Sequence, residues 1–164
     1  MHTLKGGAIV AYDKLTLLER RILEAQAIAP VIRAFTEVVG IDAAKEVLQR
    51  VNEDLGRESG CQLAGIPGDN SLTALAEEIA NWGEDGSLEG EIVEETDRTY
   101  VVNVTRCKFA EKYDELGVRD LGYALSCCRD MTFVEGYNPK IKLRRTQTIM
   151  EGESCCDFHY VMED

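Results

Sequence analysis

The sequence predicts an α+β domain in which helices come first and a roughly four-stranded antiparallel sheet, with helices inserted midway, follows. Apolar residues recur at helical spacing up to about residue 82, and beyond 83–86 several runs alternate with a period of two. With 164 residues and 45% hydrophobic content, the chain can bury a core of its own. We expect one domain over residues 1–164, with 1–85 as a helical scaffold or lid and 86–164 bearing the sheet and the candidate site.

The first half is predicted to be helical. Its three helices are expected at Leu15–Val39, Ala43–Arg57 and Leu72–Trp82. Pro30 interrupts the first apolar stripe, so it should kink that helix or divide it in two. Residues 60–70 are expected to form a loop, and residues 1–11, with His2, a loosely packed lead-in.

The second half is predicted to contain the sheet. The expected elements are strands at 90–96 and 99–106, helices at 108–116 and 118–130, a long strand at Lys140–Met150 and a strand at Cys155–Met162. The last two strands should form a hairpin. In the basic strand, Lys140, Lys142 and Arg144 should face solvent, whereas Arg145 should point toward the core.

Charge and hydropathy exclude several classes of partner. The 18 basic and 30 acidic residues give a net charge of −12, which opposes binding to nucleic-acid phosphates. No stretch is apolar enough to span a membrane, and the N-terminus does not have the pattern of a signal peptide. We therefore expect a cytoplasmic protein without membrane or nucleic-acid partners; its oligomeric state is left open.

The cysteines are the main candidates for chemistry, because five of the six lie beyond residue 106. They could form a thiol or metal site, or they could pack as small apolar side chains, which is common for free cysteine. One face of the sheet could gather Cys107, Cys127 and Cys156 around a pocket. Cys107 should precede a helix, whose dipole would favour its thiolate. The spacing of the cysteines matches no zinc signature.

Four polar residues accompany these cysteines. Asp130 follows Cys127 by three positions and shares its helical face, whereas Asp157 should lie on the strand face opposite Cys156, with His159. A surface position is favoured for His159. Arg145 could clamp a substrate carboxylate or form a salt bridge with Asp130 or Asp157, and both alternatives stand.

Phosphate-binding glycine loops, the G-x-S-x-G motif and the H-E-x-x-H motif are all missing from the sequence. The second half instead resembles the bacterial family of L-2-amino-thiazoline-4-carboxylic acid hydrolases. The resemblance consists of an ordered set of motifs: Cys107, Leu121-Gly122-Tyr123-Ala124-Leu125-Ser126-Cys127-Cys128-Arg129-Asp130, Tyr137-Asn138-Pro139, Arg145-Thr146-Gln147-Thr148, Gly152 and Cys156-Asp157-Phe158.

This resemblance implies a hydrolase that opens a cyclic amidine or isothiourea such as 2-amino-thiazoline-4-carboxylate, acting on a C–N bond. The family pattern singles out Cys107, Cys127, Asp130, Cys156 and Asp157, and leaves Cys61, Cys128 and Cys155 as incidental. Under this hypothesis Cys127 or Cys156 is the nucleophile, Asp130 and Asp157 bind or protonate the amidine, and Arg145 binds the substrate carboxylate.

Two alternatives accompany the hypothesis. Cys107, Cys127 and Cys156 could hold zinc or iron that activates water, so the cofactor is either such a metal or none. The runner-up function is a non-catalytic module that senses a small ligand or a metal through a cysteine-lined pocket. A small α+β domain with three cysteines around one pocket resembles the vinyl-reductase-like sensor domains in general plan.

Overall fold

The computed structural model describes residues 14–66, 68–83 and 85–164. The expectation for residues 1–11, including His2, lies outside these residues. Within them, the chain builds the predicted α+β architecture, with helices first and a four-stranded antiparallel sheet whose strands are separated by further helices. In the described part of the chain, no helix is both long and apolar enough to cross a membrane.

Three helices form the N-terminal part: α1 (Leu17–Val39), α2 (Ile41–Ala64) and α3 (Leu72–Asn81). Thr16 and Glu19 form a capping box that begins α1, and Ser71 caps α3. Pro30 lies inside α1 without dividing it into two helices. Helix α2 is longer than predicted, because residues 60–64 continue the helix where the sequence indicated a loop.

The sheet consists of β1 (Leu88–Glu95), β2 (Thr99–Cys107), β3 (Ile141–Arg144) and β4 (Cys156–Met162). The strand order is β1-β2-β4-β3, and every neighbouring pair is antiparallel. The pairing of β3 with β4 confirms the predicted hairpin. The prediction of a long strand from Lys140 to Met150 was wrong, because β3 ends at Arg144 and a 3₁₀ turn follows at Ile149–Glu151.

Between β2 and β3 the chain forms α4 (Lys108–Glu115), α5 (Arg119–Gly122), a π-helical turn (Tyr123–Cys127) and α6 (Arg129–Tyr137). The sequence predicted that the last helix would end near Asp130, but α6 begins there instead. Single π turns occur often at functional sites, since the wider turn changes which side chains face a pocket. This turn carries Cys127 and leads directly into Asp130.

Helices α2 and α6 pack closely through glycines. A side chain at Gly60 would overlap the carbonyl oxygen of Phe133, and one at Gly136 would overlap the carbonyl oxygen of Arg57. This contact, here called the glycine seam (Gly56, Gly60 and Gly136), brings the two backbones close together. It fixes the N-terminal helices against the segment that carries Asp130.

Two apolar cores flank the centre of the molecule. One gathers buried residues of α1, α2 and α4 with the segment 118–125, including Ala25, Leu48 and Tyr113. The other joins α3 and α6 to the sheet, including Leu75, Val134 and Tyr160.

Candidate functional site

A cavity of about 580 Å³ lies among the helices and the inner face of the sheet. This volume is in the range typical of small-molecule sites. Apolar and aromatic side chains form much of its wall: Leu17, Leu63, Ile79, Trp82, Leu88, Ile92, Tyr100, Val102, Val104, Phe109, Phe133, Phe158 and Tyr160. The N-terminal helices thus contribute to the wall alongside the sheet.

Five of the six candidate residues from the sequence line this one cavity: Cys107, Cys127, Asp130, Arg145 and Cys156. They come from the end of β2, the π turn, the start of α6, the residue after β3 and the start of β4. Strand pairing opposes Val104 of β2 to Cys156 of β4, and both line the cavity. The fold therefore brings together candidate side chains that are far apart in sequence. The most distant two, Cys107 and Cys156, are separated by 49 positions.

Arg145 forms an ion pair with Asp130, one of the two alternatives that the sequence left open. Only 2% of the Arg145 side chain is exposed, and it also donates a hydrogen bond of 3.0 Å to the carbonyl oxygen of Cys127. Its guanidinium lies 5.1 Å from the centre of the Phe158 ring and 5.8 Å from that of Tyr123. These contacts hold the cation firmly in place.

Asp130 keeps a quarter of its side chain exposed while it pairs with Arg145. Burial raises the pKa of its carboxyl group, and the positive charge of Arg145 opposes that rise without cancelling it. Burial has the largest single effect on Arg145 and lowers its pKa, but the charge and the hydrogen bond of Asp130, together with other nearby groups, outweigh burial and leave that pKa raised. A carboxyl group whose pKa is raised toward neutrality is suited to exchanging protons with a ligand.

The three cavity thiols all have raised pKa values. Burial is the main cause for each, and the charge of Asp130 adds to it at Cys127, whose pKa lies well above the usual value. The pKa of Cys156 rises to about 11, although the backbone N–H of Ile149 donates to its sulfur at 3.2 Å. At neutral pH these groups are therefore thiols.

The expected thiolate character of Cys107 was wrong. Cys107 does precede α4, and the backbone N–H groups of Phe109 and Ala110 do lower its pKa. Burial has the larger effect, so the net shift of the pKa is upward.

The cysteines do not fit a metal centre in this arrangement. Among residues 14–66, 68–83 and 85–164, no group of three or more His, Cys, Asp or Glu side chains is placed so that it could hold a metal ion. The predicted ligands Cys107, Cys127 and Cys156 share a cavity without forming such a group, and we derive no step through a metal.

Asp157 lies on the other side of β4, away from the cavity, as the strand alternation predicted. Its carboxylate accepts hydrogen bonds from the backbone N–H groups of Thr146 and Gln147, both at 2.9 Å, and from the Thr146 hydroxyl at 2.6 Å. Burial raises the pKa of Asp157, but these hydrogen bonds outweigh it, so the pKa is lowered. Asp157 therefore holds the turn that follows Arg145.

The remaining cysteines and His159 lie outside the cavity wall. His159 and Cys61 are exposed. Cys128 is buried and donates to the carbonyl oxygen of Ala124 at 3.3 Å, and Cys155 accepts from the side-chain amide of Gln147 at 2.9 Å. That Cys61, Cys128 and Cys155 are incidental stays a prediction.

Sequence reasoning missed three of the cationic residues of the cavity wall, Arg20, Arg21 and Arg129. Arg21 lies three residues after Leu18 and four before the fully buried Ala25, so it borders the apolar face of α1. An arginine at the edge of an apolar stripe is a signal that could have indicated it. Arg129 was named only as part of a motif.

Comparison with known proteins identifies the family to which this chain belongs. A family model described as L-2-amino-thiazoline-4-carboxylic acid hydrolase matches residues 20–160, and the chain belongs to this family. The match includes the N-terminal helices as well as the second half, where the sequence resemblance was noted. No curated protein matches the chain.

Among solved structures, the chain is similar to the crystal structure of the phenol-responsive sensory domain of the transcription activator PoxR with phenol. The two share 12% sequence identity with a TM-score of 0.49, and the match covers 83% of this chain and 73% of that one.

Proposed function

We propose that this protein is a hydrolase that opens a small cyclic amidine or isothiourea bearing a carboxylate, of the kind named by its family. The observation that carries the proposal is that Cys107, Cys127, Cys156, Asp130 and Arg145 line one cavity of small-molecule size. Family membership supplies the substrate class. The cavity supplies apolar surface for a ring, and Asp130 supplies a partly buried carboxylate for an amidinium.

In the proposed reaction Asp130 has the central part. An amidinium carries a positive charge that an aspartate can bind, and the raised pKa of Asp130 makes it a better proton acceptor than an ordinary aspartate. Arg145 orients that carboxylate through their ion pair. Asp157 acts in this proposal only by holding the turn that carries Arg145.

Cys127 is the proposed nucleophile, because it precedes Asp130 by three residues and its pKa responds to the charge of Asp130. Its sulfur bonds to the amidine carbon as its proton passes to Asp130; the two events must be concerted, since the free thiol is protonated. One ring bond of that carbon, to nitrogen or to sulfur, then breaks, and the leaving atom takes the proton. Water next adds to the same carbon and displaces Cys127, so one water is consumed overall.

The test is hydrolysis of 2-amino-thiazoline-4-carboxylate by the purified protein. Asp130→Asn should lower kcat by about a hundredfold to ten-thousandfold, since the amide can still contact Arg145 but cannot accept the proton. Cys127→Ser should also abolish turnover, whereas Cys61→Ser, at an exposed position outside the cavity, should not change it. A free thiol in the product would show cleavage of the C–S bond, and its absence cleavage of the C–N bond.

Retained activity in Cys127→Ser would move the nucleophile to Cys156 or to a water molecule activated by Asp130. Retained activity in Asp130→Asn would contradict the proposed mechanism. Thermal unfolding of each variant would separate lost chemistry from a lost fold.

A ligand-binding module without turnover is the second candidate. It is favoured by the raised pKa of all three cavity thiols and by the fact that no histidine of the described residues lines the cavity. Binding of the thiazoline acid with no ring opening over many hours would favour this function over hydrolysis.

A further inference from the structure

Two arginines from distant parts of the chain meet at the cavity wall. Arg21 of α1 and Arg129 of α6 both line the cavity and both donate to the same oxygen of Glu24, at 2.7 and 3.2 Å. Arg129 also donates to the side-chain oxygen of the buried Asn52. We call Arg21 and Arg129 the arginine pair.

The arginine pair has more positive charge than its shared carboxylate can balance. Two guanidinium groups use one oxygen of Glu24, and burial followed by the nearby charge of Arg21 lowers the pKa of Arg129. Arg129 is only 8% exposed. Its buried Nε has no hydrogen-bond partner among the described residues. Buried donors of this kind are costly unless a partner is supplied.

Arg145 differs from the arginine pair because its positive charge is already balanced. Its side chain is almost fully buried, it has Asp130 as its own counter-ion, and it lies near two aromatic rings. A ligand carboxylate at Arg145 would have to compete with Asp130, whereas at the arginine pair it would add a missing negative charge.

We propose that the arginine pair binds the carboxylate of the ligand, with the basic or amidine end directed to Asp130. The ligand class is a small ring that bears one carboxylate and one basic or amidine group. The identity of the substrate rests on the proposed function above, but the anion site itself does not. The cavity thus offers a cationic region at Arg21 and Arg129 and an anionic group at Asp130 for the two ends of one zwitterion.

The experiment compares each acid with an analogue of similar shape that has no carboxylate. Dissociation constants of the full chain are measured by calorimetry for benzoate and benzamide, and for 2-amino-thiazoline-4-carboxylate and 2-aminothiazoline. The wild-type protein should prefer each acid. Arg21→Gln should weaken binding of the acids by at least about tenfold and should not weaken binding of the analogues without a carboxylate, because one charged hydrogen bond to the carboxylate is lost.

Arg33→Gln is the matched control. Arg33 also lies on α1 but pairs with Asp120 at 2.5 Å and does not line the cavity, so the preference for acids should persist. Arg129→Lys provides a second variant, which keeps the positive charge but loses the planar guanidinium group that can donate two parallel hydrogen bonds to a carboxylate. It should bind the acids more weakly than the wild type. Circular dichroism should show that each variant is folded.

The outcomes separate this inference from the proposed function. Turnover of the thiazoline acid with an acid preference unchanged in Arg21→Gln would overturn the anion site alone. An Arg21-dependent preference for acids without turnover would support the anion site and contradict the hydrolase. Equal affinity of the wild type for benzoate and benzamide would also overturn the anion site.

Discussion

At the scale of single residues, burial determines the protonation state of the candidate thiols. Cys107, Cys127 and Cys156 lie in the same cavity as Asp130, and both burial and this negative charge favour the neutral thiol. A histidine beside one of them would have created a thiolate, and His159 is instead exposed on the opposite face of β4. Any nucleophilic cysteine here must be activated after the ligand binds.

Alkylation rates would check these pKa values. At pH 7.5 iodoacetamide should modify the exposed Cys61 well before Cys127 or Cys156. A raised pKa means that the thiolate fraction is smaller than usual at neutral pH and increases as the pH rises toward the pKa, about 11 for Cys156. The rate at Cys156 should therefore keep rising between pH 8.5 and 10.5, as measured by mass spectrometry of peptides.

Unfolding in urea provides the control for alkylation, because all six cysteines should then react at similar rates. Faster labelling of Cys127 or Cys156 than of Cys61 in the folded protein at neutral pH would contradict the raised pKa values.

Substitution of Arg145 tests how much its ion pair with Asp130 stabilises the fold, and substitution of the neighbouring Arg144 is the control. Arg145→Leu removes the counter-ion of Asp130 inside the protein and should reduce the free energy of unfolding by about 3–5 kcal/mol. Arg144→Leu changes an exposed residue and should alter stability by less than about 0.5 kcal/mol. Urea unfolding of both variants would measure the difference, and equal effects would contradict a structural role for the ion pair.

At the scale of elements, the sequence predicted the α+β order and the four strands, and the periodicity of apolar residues was sufficient for this. It failed where a tertiary contact determines the local structure. The strand expected to continue to Met150 ends at Arg144, because Asp157 of the neighbouring strand binds the backbone N–H groups of Thr146 and Gln147. Apolar alternation within one segment carries no information about that carboxylate.

A tertiary contact also explains why helix α2 is longer than the sequence predicted. Gly60 indicated a loop, yet it lies within the helix because the backbone of α6 approaches it there.

The candidate site was likewise predicted correctly where a local pattern determines it and was missed where a tertiary contact does. Strand alternation separated Cys156 from Asp157 correctly, whereas the meeting of Arg21 with Arg129 depends on packing between helices 108 positions apart and has no local pattern.

At the scale of the whole molecule, the glycine seam joins the N-terminal helices to the segment that bears Asp130. Gly60→Ala would force apart the backbones of α2 and α6, since the added carbon would overlap the carbonyl oxygen of Phe133. We expect the free energy of unfolding to fall by about 1–3 kcal/mol. Thermal or urea unfolding measures this change.

Gly65→Ala is the matched control for the seam. Gly65 follows α2, has an ordinary helical conformation, and an added carbon there would meet its nearest atom at 3.4 Å. It should be tolerated within about 0.5 kcal/mol. If both substitutions had the same effect, the close approach of the helices would not be what stabilises this region.

The π turn at Tyr123–Cys127 has a consequence for how the sequence can change by insertion and deletion. A π turn is equivalent to one extra residue in an α-helix, and each residue advances the helix by about 100°. Deleting Ser126 would allow regular helical winding and would rotate the residues before the turn by that angle relative to Asp130. Cys127 and Asp130 could keep their local spacing while Leu121 and Leu125 lost their places in the core. A deletion of one residue would thus misalign the pocket, although Ser126 is the one lining side chain that it removes.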